Sequence, residues 1–291
     1  MTLKVGYLGP EGTFCEEASL LYCKKLKNVE LIPYATIHDL LIAVNKGKLD
    51  EGVTPIENSV EGTIGIVTDM LVKDVNLKIR QEIVLPIRHY LVTKKGITLK
   101  DITDVISHPQ AIDQCKDWLR KHLPKAELHL AYSTADAVRQ VATSIEAGIL
   151  SVRGGRGLKR AFAAIGTKAS ARLYNLKIVA RNISDYADNM TRFVVLSKKD
   201  HDKTGDDKTS IVFTIARDRP GGLYNILGEF AIRNINLTKI ESRPSKRALG
   251  DYFFFVDMQG HRHDKVAAES LKDAKRKVAF LKILGSYPRA K

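Results

Sequence analysis

Thr191 and Arg192 are adjacent residues whose side chains could together bind and activate an organic acid. A threonine hydroxyl can donate a hydrogen bond to a departing oxygen, and an arginine guanidinium can hold a carboxylate through two parallel hydrogen bonds. The segment Asn189-Met190-Thr191-Arg192-Phe193 leads into a strand-like run from Arg192 to Leu196. Because Thr-Arg-Phe also fits an ordinary strand start, this segment taken alone is a weak signal of catalysis.

Two other polar segments each follow a predicted strand and precede a predicted helix. They are Pro55-Ile56-Glu57-Asn58-Ser59 and Ser107-His108-Pro109-Gln110-Ala111. Side-chain donors and free amides at a helix N-terminus can bind a carboxylate, although helix capping explains the same residue types. A lone histidine such as His108 is also more often structural than a general base. Because open α/β sheets bind ligands at such junctions, the repetition favours one shared anion site.

Strand and helix patterns alternate up to Leu196. The alternation predicts an α/β fold with mostly parallel strands, organised as two lobes around a cleft. The polar stretch 198–208 lacks apolar periodicity and is predicted to be a linker. After it, the order strand, helix, strand, strand, helix, strand predicts a ferredoxin-like βαββαβ unit. The basic, Gly-rich stretch 148–160 lacks the lysine spacing of a phosphate loop and is predicted to be a mobile surface loop.

The size and composition are those of a globular protein with more than one folding unit. The chain has 291 residues, of which 44% are hydrophobic and 27% charged, so two or three units are expected. No apolar run approaches the roughly 20 residues that span a bilayer and no signal-peptide pattern follows Met1, so no membrane association is expected and the cytoplasm is the expected location. Cys15, Cys23 and Cys115 lack CxxC spacing, which predicts reduced thiols without a disulfide or a zinc site.

The net charge of +14 raises the question of nucleic-acid binding. Basic residues are spread along the chain and mixed with acidic ones, which favours a solvated basic surface over a nucleic-acid site. A salt-dependent shift on duplex DNA would test the alternative. A positive surface would also draw an anionic substrate towards a cleft.

Taken together, the motifs resemble the prephenate dehydratase family. Gly9-Pro10-Glu11-Gly12-Thr13-Phe14, the two junction segments and Thr191-Arg192-Phe193 occur in that family's order, and Asp185 stands six residues before Thr191. Each motif is loosely specific, but their joint order is a strong signal. The resemblance implies a two-lobed catalytic domain with a periplasmic-binding-protein-like (type II) fold. It would span residues 1–198, with lobe 1 at 1–80 and 180–198, lobe 2 at 81–179, and a linker at 199–208.

The C-terminal unit, residues 209–291, resembles an ACT regulatory domain. Pro220-Gly221-Gly222-Leu223-Tyr224 and Leu237-Thr238-Lys239-Ile240-Glu241-Ser242-Arg243-Pro244 look like the two effector segments of such domains. Gly222 stands where the family often has alanine, which leaves the turn intact. The resemblance implies that phenylalanine is the effector and is bound by Gly221, Gly222, Leu223, Asn225, Glu241, Ser242, Arg243 and Pro244. Because ACT modules usually pair, a homodimer or homotetramer is expected.

The activity that the resemblance implies is loss of carbon dioxide and the ring hydroxyl from prephenate, giving phenylpyruvate for phenylalanine biosynthesis. Aromatisation drives this reaction, so no metal or organic cofactor is required. Thr191 would donate to the departing hydroxyl, while Asn58, Ser59, Gln110 and Arg192 would hold the carboxylates and orient the ring. Thr13, Phe14 and Phe193 would shape the pocket. Further substrate contacts are expected from Glu57, Ser107, His108 and Ala111.

Two other functions remain open from the sequence. Arogenate dehydratase would perform the same elimination on the amino analogue, and the sequence does not separate the two substrates. A non-catalytic amino-acid sensor would combine the same two-lobed domain with an ACT module. The Thr-Arg-Phe segment argues against the sensor, and a prephenate turnover assay would decide.

Overall fold

A computed structural model describes residues 2–143, 160–215, 219–246 and 250–290. The described residues form three β-sheets. Of the mobile loop predicted at 148–160, residues 148–159 lie outside the described ranges. The end of the helical sequence pattern from Thr134 to Ala147 also lies outside them. No helix within the described ranges is long and apolar enough to cross a membrane.

The first sheet and three helices form the first lobe. The strand order is β2-β1-β3-β11-β5, and β4 pairs with β3. Helix α1 begins after Thr13, whose side chain accepts the Glu16 amide, as a capping interaction predicts. The strands are β1 (Leu3–Leu8), β2 (Val29–Tyr34), β3 (Glu51–Asn58), β4 (Gly62–Thr63), β5 (Lys78–Pro86) and β11 (Met190–Ser197), and the helices are α1 (Phe14–Cys23), α2 (Ile37–Asn45) and α3 (Gly65–Lys73).

Within the described residues, the second sheet and four α-helices form the second lobe, with the strand order β10-β6-β9-β7-β8. The sequence from Pro109 to His122 has the pattern of one helix, but the structure divides it into two helices that meet at Gln114 and Cys115. The Asp185 carboxylate accepts the Asp117 and Trp118 amides and so caps the second of these helices. The strands are β6 (Tyr90–Thr93), β7 (Asp104–Ser107), β8 (Glu127–Leu130), β9 (Phe162–Gly166) and β10 (Lys177–Arg181), and the helices are α4 (Pro109–Asp113), α5 (Lys116–His122), α6 (Thr134–Thr143) and α7 (Lys168–Leu173).

Both sheets are mixed, and the prediction of mostly parallel strands is wrong because the strand pairs towards one end of each sheet are antiparallel. Strand β11 runs antiparallel to β3 and β5, and β6 runs antiparallel to β9 and β10. The lobe limits differ from the predicted ones as well, because all of β5 belongs to the first sheet and all of β10 to the second. The chain therefore crosses between lobes at 87–89 and 182–189. These crossings pair through Ile87 N to Asn189 O (2.8 Å) and Ile183 N to His89 O (3.0 Å).

The third sheet has the predicted ferredoxin-like βαββαβ order. Its strands follow the order β13-β14-β12-β15, and all pairs are antiparallel. Its two helices share one core with the sheet face that bears Ile211, Val256 and Met258. The strands are β12 (Asp207–Thr214), β13 (Leu237–Pro244), β14 (Tyr252–Gln259) and β15 (Phe280–Pro288), and the helices are α8 (Gly222–Ala231) and α9 (Lys265–Lys277).

The opposite face of the third sheet packs directly on the first lobe. Phe253 and Phe255 share one buried core with Leu71 and Ile79. Gly285 lies so close to the Ile79 backbone that an added Cβ would come within 2.2 Å of its carbonyl oxygen. Part of the predicted linker is also docked, because Asp200 accepts the Ser286 amide at 3.1 Å. The C-terminal unit is therefore held on β5 and α3 rather than tethered by a free linker.

Candidate active site

A cavity of about 280 Å³ lies between the two lobes. The first lobe and the nearby crossing segment contribute Leu8, Thr13, Phe14, Cys15, Pro55, Asn58, Ile64, Ile87, Thr191 and Phe193. The second lobe and its crossing segment contribute His89, His108, Gln110, Ala111, Gln114, Tyr132, Ser133 and Thr134. Eight of the predicted site residues therefore line one cavity: Thr13, Phe14, Asn58, His108, Gln110, Ala111, Thr191 and Phe193.

Thr191 is positioned by Asn58, which is its direct partner across β11 and β3. The Asn58 side-chain oxygen accepts the amides of Val60 and Glu61, both at 3.0 Å. Because that oxygen is thus occupied, the Nδ2 group faces Thr191 and donates to its Oγ1 at 2.8 Å. Thr191 Oγ1 accepts this bond, so its own hydroxyl hydrogen remains available for a molecule in the cavity.

A chain of buried side chains extends from Asn58 into the second lobe. Asn58 Nδ2 also donates to Asn189 Oδ1 at 2.7 Å, and Asn189 Nδ2 donates to Gln114 Oε1 at 3.0 Å. Gln114 Oε1 lies 3.0 Å from His89 Nε2. The sequence interpretation missed Gln114, although it follows Gln110 by four residues, a spacing that a single helix would place on one face. Asn189 is part of the Thr-Arg-Phe segment but has no predicted role there, and nothing local in the sequence indicates His89.

The chain of hydrogen bonds fixes the tautomer of His89. Gln114 Oε1 accepts a hydrogen bond from Asn189 Nδ2, and an amide oxygen has no hydrogen to donate. In its contact with this oxygen, His89 Nε2 must therefore be the donor and carry the ring hydrogen. His89 Nδ1 is buried and has no hydrogen-bond partner in the described part of the chain. Burial lowers the pKa of His89, while the bond to Gln114 raises it, with a net decrease. A neutral ring with a bare Nδ1 is consistent with both observations.

Two ten-residue helices, α1 and α6, begin at the cavity. Thr13 and Phe14 lie at the start of α1, and Ser133 and Thr134 at the start of α6. Free amides and the helix dipole make such positions favourable for an anion. Among the described lining residues there is neither a lysine nor an arginine. An anion in this cavity would therefore meet helix N-termini and neutral donors rather than a fixed cation.

His108 serves as the cap of α4. Its Nδ1 accepts the Gln110 amide at 3.3 Å, so this nitrogen is already engaged. Burial lowers the pKa of His108, which favours a neutral ring. These contacts support the structural interpretation of His108 over that of a general base, while leaving its ring at the wall of the cavity.

Arg192 does not line the cavity, and its predicted role as a substrate clamp is wrong. Successive side chains on a strand point to opposite faces, so Thr191 in the cavity places Arg192 on the far side of the sheet. There the guanidinium binds Asp257 at 2.7 Å and Glu57 at 3.0 Å. Glu57 and Asn58 are neighbours on β3, so their side chains also point to opposite faces of the sheet. Because Asn58 lines the cavity, Glu57 points away from it. The predicted substrate contact of Glu57 is therefore also wrong.

Ser59 and Ser107 are likewise absent from the cavity wall. The Ser59 hydroxyl accepts the Met190 amide at 2.9 Å and thereby joins the segment after β3 to β11. Ser107 is fully buried, and its hydroxyl donates to the Ile165 carbonyl at 2.9 Å. Both serines hold neighbouring segments together, which explains their place in the motifs without a substrate contact.

Arg192 belongs to a cluster of charges between the first lobe and the C-terminal unit, here called the interdomain ion cluster. Lys208 binds Glu82 at 3.0 Å, and Lys239 binds Glu57 at 3.1 Å. Burial alone would lower the pKa of Arg192, but Asp257 and the other nearby negative charges raise it overall. The cluster has three cations (Arg192, Lys208, Lys239) and three carboxylates (Glu57, Glu82, Asp257), so its formal charge is balanced.

The two predicted effector segments lie in the C-terminal unit. Gly221 has φ of 77° and caps α8, which starts at Gly222, and Leu223 packs against that unit's core. On β13, Glu241 accepts a hydrogen bond from Thr63 of the first lobe, and Arg243 lies 3.8 Å from Asp69. The alternate β13 residues, Ser242 and Pro244, are exposed, as is Asn225. Effector binding by these residues stays a prediction.

Asp104, Glu127 and His129 are close enough for one metal ion to touch all three. Arg160 already donates to Asp104 and Glu127, each at 3.0 Å, and His129 Nε2 lies 2.8 Å from Asp104. A guanidinium thus occupies the place where a cation would neutralise these carboxylates. The group is better described as an ion-paired edge of the second sheet than as a metal site.

The architecture is that of a two-lobed α/β enzyme domain, with its ligand cavity between the lobes, joined to a regulatory unit of the ACT type. The prephenate dehydratase family model matches residues 5–201, and the ACT domain model matches residues 209–276. The prephenate dehydratase of Methanocaldococcus jannaschii is 40% identical over 291 residues, which cover 99% of each chain. The bifunctional chorismate mutase/prephenate dehydratase of Aquifex aeolicus is 40% identical over 288 residues, 99% of this chain and 74% of that one.

A solved structure gives the same result. The prephenate dehydratase of Arthrobacter aurescens in complex with L-Phe matches with a TM-score of 0.85 and 34% identity, covering 99% of this chain and 90% of that one. The chain belongs to the prephenate dehydratase family.

Proposed function

We propose that this protein is a prephenate dehydratase that converts prephenate to phenylpyruvate in phenylalanine biosynthesis. The observation that supports this most directly is the Thr191 hydroxyl, which lines the interlobe cavity and accepts a hydrogen bond from Asn58, so that its own hydrogen stays available to a ligand. A neutral donor of this kind suits a leaving hydroxyl that needs a hydrogen bond rather than a strong acid.

The reaction needs little acid-base chemistry from the protein. The bond to the ring carboxylate breaks, its electron pair enters the ring, and the C–O bond on the opposite ring carbon breaks. Carbon dioxide and hydroxide leave, and the ring becomes aromatic. Thr191 donates to the departing oxygen as negative charge develops there, so this contact is strongest in the transition state.

The substrate carboxylates are held without an arginine in the cavity. The α1 and α6 N-termini supply amides and positive dipole ends, and Gln110 supplies a side-chain amide. Asn58 has its oxygen and its amide group committed to protein partners, so it acts by holding Thr191. A cavity without a fixed cation also makes loss of carbon dioxide easier, because a tight ion pair would stabilise the carboxylate that must leave.

The direct test is to mix purified protein with prephenate and follow the formation of phenylpyruvate. Arogenate is assayed in parallel, with phenylalanine as its product. We expect turnover of prephenate to dominate. Dominant turnover of arogenate would replace the substrate assignment, and absence of turnover of either compound would contradict a dehydratase and favour an amino-acid sensor.

Phenylalanine is expected to bind the ACT unit and to lower the apparent affinity for prephenate. A coupling free energy of about 1–3 kcal/mol, typical of such links, corresponds to a change of roughly 5–150-fold. Equilibrium dialysis with labelled phenylalanine measures binding, and the KM for prephenate with and without phenylalanine measures the coupling. Alanine at the same concentration is the control ligand. No binding of phenylalanine at millimolar concentration would remove the effector role.

We expect the enzyme to act in the cytoplasm as a homodimer or homotetramer. The face of β13 that bears Ser242 and Pro244 is exposed, so the ACT unit of a second copy could pair there. Size-exclusion chromatography with light scattering measures the oligomeric state.

A further inference from the structure

The geometry points to a binding site for a multivalent anion, such as a di- or triphosphate, in a second cavity at the junction of the ACT unit and the first lobe. This cavity of about 570 Å³ is lined on its polar side by Lys78, Arg262, His263, Lys272, Lys275 and Lys282. Its apolar lining consists of Ala268, Leu271, Leu281 and Ile283. We call it the basic cavity, and it is separate from the interlobe cavity of the proposed reaction.

The positive charge of the basic cavity is not balanced by its own wall. None of the described residues that line it is acidic. The nearest carboxylate in its network, Asp200, is bound to the Arg262 guanidinium at 2.9 Å and to the Ser286 amide at 3.1 Å. Lys272 and Lys275, one helical turn apart on α9, have no ion pair within the described ranges. An uncompensated group of cations remains.

The contrast with the interdomain ion cluster makes this excess informative. Both groups lie where the ACT unit meets the first lobe, and in the cluster three cations meet three carboxylates. In the basic cavity, by contrast, the cations repel one another. The pKa of Lys78 is lowered by burial first and then by the charges of Arg262 and Lys282, against the opposing effect of Asp200. A bound anion would supply the missing negative charge.

Two of the lysines are fixed in position rather than free in solvent. Lys282 of the ACT unit donates to the Leu71 carbonyl at 2.7 Å and to the Val75 carbonyl at 3.0 Å in the first lobe. In the reverse direction, Lys78 of the first lobe donates to the Ile283 carbonyl in β15. The two ammonium groups therefore bridge the junction, and beside these bonds Lys78 keeps two hydrogens and Lys282 keeps one for a ligand.

These features define the ligand by charge and size. Several ammonium groups around one concave surface suit an anion with two or more charges, and lysine is a common point-charge partner for phosphate oxygens. The apolar side, with Leu271 and Ile283, leaves room for an organic group. Because the anion would contact groups from both sides of the junction, its binding strengthens the docking of the ACT unit.

The test measures thermal unfolding and calorimetric binding of the full chain with pyrophosphate, against sodium chloride of matched ionic strength. At a concentration about 100 times the Kd, we expect the unfolding midpoint to rise by about 5–10 °C. The double variant K272E/K275E removes the binding, whereas K272R/K275R keeps it. The control K24E/K25E makes the same change of charge on an exposed segment after α1 and leaves the binding intact.

Parallel titrations with ATP and citrate distinguish the source of the charge. If ATP binds more tightly than pyrophosphate, the ligand is a nucleotide, and if the two bind equally, it is an inorganic polyphosphate. If citrate binds more tightly than pyrophosphate, the ligand is a polycarboxylate. Each of these three outcomes supports a multivalent anion site. The inference is overturned if pyrophosphate gives no shift beyond that of chloride, which would mean an adventitious ion only. It is also overturned if the shift persists in K272E/K275E.

Discussion

Replacement of Thr191 by alanine is expected to lower kcat for prephenate by about 10²–10³-fold with little change in KM. The hydroxyl contacts the departing oxygen most strongly when the C–O bond is breaking, so its removal raises the barrier more than it weakens substrate binding. Steady-state kinetics at saturating prephenate measures kcat, and the initial slope measures kcat/KM.

Thr191→Ser is the matched control, because it keeps the hydroxyl and loses one methyl group. We expect this variant to retain most of the kcat. Thr191 is buried in the wild type, so the folded state of each variant is checked by its unfolding midpoint. Turnover of Thr191→Ala at the wild-type rate would show that the hydroxyl is not the donor.

Replacement of Arg192 by alanine is expected to destabilise the protein by about 3–5 kcal/mol, the usual cost of leaving a buried carboxylate without its partner. Glu82 and Asp257 are both buried and both bind this guanidinium. Because the interdomain ion cluster joins β11 to the ACT unit, the coupling between phenylalanine and prephenate should weaken as well. Urea unfolding gives the stability, and the KM with and without phenylalanine gives the coupling.

Arg120→Ala provides the comparison for Arg192. Arg120 lies 3.9 Å from Asp117 on the exposed surface of α5, and such pairs contribute about 0–1 kcal/mol. In the absence of phenylalanine, Arg192→Ala should leave the KM for prephenate close to that of the wild type. A large rise in KM with unchanged stability would instead restore the substrate-clamp interpretation.

The error over Arg192 could have been avoided from the sequence. A strand was predicted to begin at Arg192, and alternation along a strand places neighbouring side chains on opposite faces. Thr191 and Arg192 therefore could not both face one cavity, and the same argument separates Asn58 from Glu57. The motif resemblance grouped these residues because they are adjacent in sequence, whereas the fold divides them between the cavity and the ACT junction.

Other features depend on contacts that no local pattern encodes. The order of the ACT elements could be predicted because each one has its own periodicity. The docking of the ACT unit on the first lobe could not be predicted, because it depends on a close approach of Gly285 to Ile79. The bond between Asn58 and Asn189 joins residues 131 positions apart, and it forms only because β11 returns to pair with β3. The eight predicted site residues that line the cavity lie beside helix starts or in the motifs themselves.

The late position of β11 in the sequence has a consequence for the nascent chain. This strand lies between β3 and β5, yet it follows the whole second lobe in sequence. As the ribosome extends the chain, β6 to β10 are complete before β11 emerges, so the second lobe can fold first. During that interval β3 keeps an unpaired edge and β5 has no strand partner in the sheet, a state open to mispairing with other chains. Thr191 reaches Asn58 only when β11 pairs with β3. A polypeptide synthesised only as far as β10 therefore has no catalytic pocket.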